Sequence, residues 1–180
     1  MTPRRLRYSV AMSLDGYIAD EDGGYGWIPM DDDLDFAAYV AKIDTYIMGR
    51  HTYELVQSQP DTDFGWTGKE KYVVSTTLAP AAVAPGFSLV SEGVEDFVRE
   101  LKAREGKDIW LFGGGLLFRS LLEAGLVDRV EVGVIPALIG AGIPLLPGMS
   151  GIATLSLHSV EEMRRSGIVL MKYDVVQASG

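Results

Sequence analysis

Short apolar runs alternate with helix-like segments over the first part of the chain. Residues 6–12 become fully apolar toward their end, which predicts a strand that enters the centre of a sheet. Residues 94–101 place apolar side chains at i, i+3, i+4 and i+7, which predicts an amphipathic helix. In the same way we predict strands at residues 44–48, 71–75, 87–90 and 108–112, and helices at residues 31–42, 50–56 and 115–124.

The pattern changes in the C-terminal part, where strand-like segments follow one another without a helix between them. Residues 129–135 alternate, and predicted strands at 155–160 and 168–176 flank a turn at 164–167. This order predicts an α/β fold of three layers, α/β/α. Its central sheet is mostly parallel and ends in an antiparallel C-terminal hairpin. The length predicts a single domain over residues 1–180.

Residues 13–29 form a long segment rich in glycine and aspartate, which predicts a loop. A loop of this length inside a compact domain usually has a function. Asp15, in a Leu-Asp-Gly sequence, is expected to form a turn. Two interpretations stay open for Trp27: its ring packs over a planar substrate, or it acts as a hydrophobic staple for the helix that follows.

The most informative segment joins a predicted strand to a predicted helix through Gly49, Arg50, His51 and Thr52. A tight junction of this kind leaves the first backbone N–H groups of the helix without intrahelical partners, so an anion is favoured there. Arg50 adds a planar charged fork suited to phosphate, and His51 and Thr52 add further donors. The segment is a candidate site for a cofactor phosphate, and the alternative is a structural turn with a surface arginine.

A second strand-to-helix junction contains three consecutive glycines, Gly113, Gly114 and Gly115, followed by Leu116 and Leu117. Glycines at such a junction let a ligand approach the backbone closely, because no Cβ intervenes. The spacing is not the Gly-x-Gly-x-x-Gly fingerprint, and no Walker A pattern occurs. Two such junctions in one small domain indicate a phosphate-bearing ligand more specifically than either one alone.

Charge and composition argue against several classes of function. The net charge of −9 and the pI near 4.7 argue against a nucleic-acid-binding protein, which would present a basic face. The absence of cysteine excludes disulfides and fits a cytoplasmic protein. No apolar run is long enough to cross a membrane. With only two histidines, far apart in sequence, no metal site is expected.

With these segments the chain resembles the dihydrofolate reductase-like superfamily. Residues 10–19, 48–54 and 73–76 and the triple glycine occur in the family's order. The resemblance is closer to the reductase domain of bacterial riboflavin-biosynthesis deaminase–reductases than to dihydrofolate reductase itself. The Ser-Leu-Asp-Gly sequence at residues 13–16 and the segment 136–146 resemble that branch, and the Gly-Asp-Thr sequence usual in dihydrofolate reductases is absent.

The resemblance implies a reductase that binds NADPH. Arg50, His51 and Thr52 would meet the cofactor's phosphates, with Arg50 at the 2′-phosphate. The resemblance assigns three further groups of residues to the cofactor. Ala11 and Ile18 would lie on either side of the nicotinamide, and Ser75 and Thr76 would contact the adenosine end. The third group belongs to the two glycine junctions and consists of Gly49, Gly113, Gly114, Gly115, Leu116 and Leu117.

The resemblance also implies an aspartate at the start of the first helix that binds the substrate ring. Counting back from Met48 places this residue at Asp33, and counting forward from Trp27 places it at Asp32. A carboxylate in an apolar cleft would have a raised pKa and could supply a proton, whereas the alternative is a solvated acidic helix start. We take Asp33 as the candidate catalytic residue, and Asp33 and Trp27 as candidate substrate-binding residues. The threonine that partners the aspartate in dihydrofolate reductases corresponds to Val134.

These expectations lead to an NADPH-dependent reductase of a planar heterocycle or imine-like substrate, similar to 5-amino-6-(5-phosphoribosylamino)uracil reductase of riboflavin biosynthesis. The alternatives are a dihydrofolate or pterin reductase and a non-catalytic nucleotide-binding module. Relatives of the riboflavin type often pair through their sheets. The apolar segment 134–146 and the C-terminal strands therefore predict a two-fold homodimer, and the alternative is that this segment is a buried loop.

Overall fold

The computed structural model describes residues 3–31, 33–59 and 62–177. Its helices are α1 (Phe36–Val40), α2 (Arg50–Gln57), α3 (Val94–Ala103) and α4 (Gly115–Glu123), and a 3₁₀ turn spans Pro80–Ala82. Its strands are β1 (Leu6–Ser13), β2 (Tyr17–Ala19), β3 (Ile43–Gly49), β4 (Glu70–Val74), β5 (Ser88–Val90), β6 (Asp108–Gly113), β7 (Arg129–Ile135), β8 (Ile143–Pro144), β9 (Leu155–Met163) and β10 (Ile168–Val175).

The main sheet has eight strands in the order β5-β4-β3-β6-β1-β7-β10-β9, and β2 pairs separately with β8. The central strand β1 is parallel to β6 on one side and to β7 on the other. Strand β3 is parallel to β6 and β4, and β4 is parallel to β5. Strand β10 is antiparallel to both β7 and β9. The predicted fold class, a mostly parallel sheet that ends in antiparallel C-terminal strands, is confirmed.

Side chains of β1 alternate between the two faces of the sheet. Tyr8, Val10 and Met12 belong to the main apolar cluster, which α3 and α4 cover. Arg7 and Ala11 lie on the opposite face, which we call the cleft face and which α1, α2 and the loop before α1 cover. Helices therefore lie on both sides of the sheet, as the alternation of strands and helices predicts.

The helix predicted at residues 31–42 is shorter than expected. Helix α1 begins after Asp35, because the Asp35 carboxylate accepts a hydrogen bond from the Ala38 N–H at 2.8 Å and so caps the first turn. Upstream of this cap, Asp31 Oδ1 accepts a hydrogen bond from the Asp33 N–H at 2.9 Å, and Asp33 and Leu34 lie outside the helix. The acidic segment is thus divided between a turn and a helix cap.

The segment predicted as a loop at residues 13–29 contains the short strand β2. Its neighbourhood is fixed by backbone hydrogen bonds, from Leu14 N–H to the Ala137 carbonyl at 2.8 Å and from Leu145 N–H to the Gly16 carbonyl at 3.0 Å. The start of the loop is therefore attached to the segment between β7 and β9. A strand of three residues is too short to show a two-residue hydrophobic period.

The apolar segment 134–146 is neither fully exposed nor a fully buried loop. Leu145 and Leu146 pack against the main cluster, whereas Leu138 is 73% exposed and Ile143 is 40% exposed. The segment is therefore partly buried and partly exposed, and its part in a homodimer stays a prediction.

Two kinds of feature are not found in the described ranges. No helix there is long and apolar enough to cross a membrane. The same ranges contain no group of three or more His, Cys, Asp or Glu side chains that could hold a metal ion.

Candidate functional site

The carboxyl ends of β3 and β6 bring the two predicted glycine junctions together. The two strands pair in parallel up to Met48 and Gly113. A Cβ placed on Gly49 would lie 3.8 Å from the Gly114 backbone nitrogen. In open α/β sheets, ligands bind outside the carboxyl ends of the strands. The junctions, which are far apart in sequence, therefore form one site in the fold.

The first junction is the start of α2. Gly49 occupies its N-cap position, and no described side chain caps the helix, so the N–H groups of the first turn remain available to an anion. Arg50 is exposed, and its Nε donates to Glu54 Oε1 at 2.6 Å while Nη1 donates to Thr77 Oγ1 at 2.8 Å. His51 is also exposed. Arg50 thus extends from α2 toward the loop that follows β4.

The second junction is the start of α4, where Gly114 occupies the N-cap position, again without a cap from a described side chain. The Gly113–Gly114 peptide bond is cis. A Cβ on Gly113 would lie 2.9 Å from Thr52 Oγ1, and one on Gly114 would lie 3.4 Å from the same atom. A Cβ on Gly115 would lie 2.8 Å from Pro147 Cδ. The glycines therefore allow Thr52 and the loop near Pro147 to pack directly on the backbone.

The two leucines predicted to bind the cofactor at this junction differ in their surroundings. Leu117 is buried in the main apolar cluster, so its side chain serves the core and only its backbone remains near the helix start. Leu116 is 60% exposed, and its side chain is therefore accessible from solvent.

The loop after β4 contains Ser75 and Thr76. The Ser75 hydroxyl is buried and accepts hydrogen bonds from the Thr77 N–H at 3.2 Å and the Leu78 N–H at 3.0 Å. Thr76 is exposed. Ser75 therefore fixes the shape of the loop, and Thr76 is the hydroxyl of the pair that a ligand can reach.

The predicted nicotinamide positions lie on the other side of β6. Ala11 of β1 pairs with Gly133 of β7, and Ile18 lies in β2, which contacts β1. Trp27 packs in the same apolar cluster as Ala11, and its indole nitrogen is buried without a hydrogen-bond partner in the described part of the chain. Trp27 thus covers the strand on which the nicotinamide is expected. This position favours the interpretation of Trp27 as a cover of the cleft.

Asp15 attaches the start of the long loop to the far side of the cleft. The Ser13 hydroxyl donates to Asp15 Oδ1 at 2.6 Å, and the N–H groups of Ile139 and Gly140 donate to Oδ2 at 3.1 and 2.8 Å. The Ser13 hydroxyl and the Gly140 amide hold the pKa of Asp15 below its usual range. Asp15 has the structural role expected of it.

The candidate acid Asp33 is exposed on the turn before α1, and Asp32 lies outside the described residues. Asp31 faces the β9–β10 turn, where the Ser166 hydroxyl and then the Asp33 amide lower its pKa. Asp33 is thus in contact with solvent and does not lie in an apolar cleft. Val134 packs in the cluster on the opposite face of the sheet, so it is not the position that would partner such an acid.

Two charged residues on the cleft face, Arg7 and Glu131, were not predicted from the sequence. Their side chains are only 7% and 5% exposed, and Arg7 Nη2 lies 2.7 Å from Glu131 Oε1. Each lies in a predicted strand among apolar residues. A charged side chain at a position that the pattern predicts to be buried could have marked both as candidate functional residues.

This site lies in a dihydrofolate reductase-like fold. The solved structure of dihydrofolate reductase from Enterococcus faecalis, complexed with NADP(H), has a TM-score of 0.67 at 18% identity, with 96% of this chain and 97% of that chain covered. A deaminase/5-amino-6-(5-phosphoribosylamino)uracil reductase from Thermotoga maritima has a TM-score of 0.73 at 17% identity, with 97% of this chain and 57% of that chain covered. At these identities, both structures show the fold alone.

The family model for the RibD C-terminal domain matches residues 4–169, so the chain belongs to the RibD C-terminal domain family. The uncharacterized protein YyaP of Bacillus subtilis (strain 168) is 31% identical, with 94% of each sequence covered. A putative riboflavin biosynthesis protein from Shewanella sp. PV-4 is 26% identical in its solved structure, with a TM-score of 0.83, 96% of this chain and 99% of that chain covered. Membership in this family supports an oxidoreductase kind of role.

We predict that Gly113→Ala destabilises the protein by about 1–3 kcal/mol, because the new Cβ would lie too close to Thr52 and the backbone φ of 153° is unfavourable for alanine. Thermal unfolding of Gly113→Ala, Thr52→Ala and the double variant measures the two causes separately. Removing the Thr52 hydroxyl and methyl should restore the stability lost through the clash, whereas the loss due to the unfavourable backbone φ should remain. Gly26→Ala, with nothing within 4 Å of its Cβ, is the control. Strictly additive losses would contradict the proposed contact.

Proposed function

We propose that this chain is an NADPH-dependent reductase of a planar heterocycle or an imine-like substrate, with 5-amino-6-(5-phosphoribosylamino)uracil as the first substrate to test. The observation that carries the proposal is the convergence of two uncapped helix starts at Thr52, one strand away from Ala11. Such an arrangement offers backbone donors to the phosphates of a dinucleotide while its ring lies along β1. Membership in the RibD C-terminal domain family supports the same conclusion.

The residues present suit this chemistry. When bound, NADPH supplies a hydride that adds to the carbon of a C=N bond, while the nitrogen takes a proton from an acid or from water. The chain's own contribution is to hold the phosphates at the helix starts and to keep water away from the reacting ring. Trp27 and its apolar cluster over Ala11 serve the second purpose.

The substrate is tested by steady-state NADPH oxidation with 5-amino-6-(5-phosphoribosylamino)uracil and with dihydrofolate at equal enzyme concentration. We expect kcat/KM for the aminouracil to be higher by about a hundredfold or more, because Asp33, at the start of α1, is exposed and leaves the pterin without its usual partner. Efficient reduction of dihydrofolate would instead support a pterin reductase. Binding of NADPH without turnover of either compound would support a non-catalytic nucleotide-binding module.

Arg50 is predicted to select NADPH over NADH. Its present partners, Glu54 and Thr77, are exposed, and exposed pairs contribute little, so the guanidinium can turn to a 2′-phosphate. Arg50→Ala should raise the Kd of NADPH by about 10- to 150-fold, the loss of one charge-assisted contact, and change the Kd of NADH much less. Fluorescence titration measures both constants.

The matched control for Arg50 is Arg99→Ala. Arg99 makes the same kind of exposed contacts on α3, with Glu95 and Asp96, and α3 starts at neither glycine junction. This variant should bind both cofactors as the unaltered protein does. If Arg50→Ala weakened the binding of NADPH and NADH equally, Arg50 would not be the residue that binds the 2′-phosphate.

We also propose that the protein forms a two-fold homodimer through β9. This strand is one edge of the main sheet, and Leu155, Leu157 and Val160 on it are 39%, 58% and 55% exposed. A long edge strand with exposed apolar side chains and unpaired backbone groups favours pairing with another chain. Antiparallel pairing of two β9 strands satisfies these groups and has the symmetry of a dimer.

Leu157→Lys is predicted to convert the dimer into a monomer, because each subunit would place a charge in the new strand pair. Sedimentation velocity at micromolar concentration measures the change. Leu138→Lys is the control, because Leu138 is 73% exposed on the other apolar segment and should leave the dimer intact. A monomeric unaltered protein at high micromolar concentration would exclude the dimer, and dissociation by Leu138→Lys would move the interface to that segment.

A further inference from the structure

Arg7 and Glu131 form a buried ion pair with unusual geometry on the cleft face. Arg7 Nη2 and Nε donate to the same oxygen, Glu131 Oε1, at 2.7 and 3.1 Å. The other oxygen, Oε2, is buried and has no hydrogen-bond partner in the described part of the chain. Arg7 Nη1 donates to Asp108 Oδ2 at 3.3 Å, so the guanidinium is shared between two carboxylates and does not bind the two oxygens of Glu131 side by side. A buried charged acceptor without a partner costs stability, so Oε2 calls for an explanation beyond structural pairing.

The strand register places Glu131 beside the expected reaction centre. Ser9 pairs with Glu131, and the next residues on the same face, Ala11 and Gly133, pair with each other. Ala11 is the position assigned to the nicotinamide. Two residues along a strand span about 6.5 Å, so Glu131 lies one ladder position from the nicotinamide, where a substrate ring in contact with it would extend.

Two aromatic rings, those of Tyr39 and Trp110, lie beside this ion pair. The Tyr39 and Trp110 rings meet edge to face with centroids 4.9 Å apart, and the Arg7 guanidinium lies 4.7 Å from the Tyr39 ring centroid. Trp110 donates its indole N–H to the Ser9 carbonyl at 3.1 Å. These contacts use the indole and the guanidinium, and the Tyr39 hydroxyl is the group that they leave to interact with Glu131.

Tyr39 belongs to α1, the element that covers the pair. Burial, followed by the Glu131 charge, raises the pKa of the Tyr39 hydroxyl, which lies beside Glu131 and Ser9 and interacts with both. Tyr39 is therefore the polar side chain that occupies the space next to this carboxylate. Helix α1 has only five residues and none of them is buried. Elements with so little buried surface open at low cost compared with core helices, so a ring can reach Glu131 by displacing Tyr39.

We propose that Glu131, held in place by Arg7, recognises the N–H edge of the substrate ring. The inference rests on the proposed function and names the substrate class more closely: a planar heterocycle with ring N–H donors, such as an aminouracil. The acids at the start of α1 are placed differently, because Asp33 is exposed and Asp35 caps the helix. The recognising carboxylate thus comes from β7 instead of the first helix.

The experiment compares two probes, 6-aminouracil and 6-amino-1,3-dimethyluracil, which lacks the ring N–H donors. Binding to the NADPH-loaded protein is measured by calorimetry. We expect 6-aminouracil to bind at least about tenfold more tightly, the value of one charge-assisted hydrogen bond. Removing one partner alone would leave a buried unpaired charge and risk unfolding. The informative variant is therefore the double substitution Arg7→Met/Glu131→Leu, which replaces the pair by apolar side chains of similar size.

The double variant should bind both probes weakly and equally, and its Kd for NADPH should stay within about twofold of the original value. The matched control is Glu95→Leu/Arg99→Met, which removes the exposed ion pair on α3 and should keep the discrimination. The inference is overturned if the Arg7/Glu131 variant still distinguishes the probes, or if the unaltered protein does not. If the unaltered protein distinguishes the two probes but oxidises NADPH with none of the substrates tested, the proposed reductase activity is refuted and the role of Glu131 in ring recognition is retained.

Discussion

The close approach of β3 and β6 at their carboxyl ends is the constraint on which the candidate site depends. Their last paired residues are Met48 and Gly113, and Thr52 then occupies the space that a side chain on Gly113 would fill. Because both helices start at this point, their free N–H groups are directed at the same volume. A side chain on Gly113 would meet Thr52 and separate the helix starts, and each helix start alone would attract an anion only weakly.

The parts of the site predicted from sequence are those that local physics determines. Continuous apolar runs identified the central strands, and glycines beside them identified the junctions at Gly49 and Gly113. The start of α1 could not be found in this way, because several aspartates before it are equally good caps. Only the folded chain shows that Asp35 meets a free N–H, at Ala38. Strands β2 and β8 were missed because two or three residues carry no period.

The positions that sequence analysis missed depend on contacts between strands far apart in the chain. Glu131 and Val134 lie in one strand, yet they point to opposite faces of the sheet, and only the register with β1 shows which one faces the cleft. A shift of one residue exchanges the faces, and counting along the sequence therefore selected Val134. Arg7 and Glu131 are separated by 124 positions, so no local pattern links the two charges.

The central position of β1 also determines the order in which the fold can form. Leu6 can pair with Ile109 only after β6 has been synthesised, and the other edge of β1 can form its hydrogen bonds only after β7 has been synthesised. An apolar strand at the start of the chain thus stays unpaired while more than half of the sequence is made. Proteins dominated by such distant pairings fold slowly, and their unpaired strands are prone to aggregate in the meantime. Arg7 places one charge in β1, and this charge keeps the unpaired strand more soluble until β7 has been synthesised and Glu131 can pair with it.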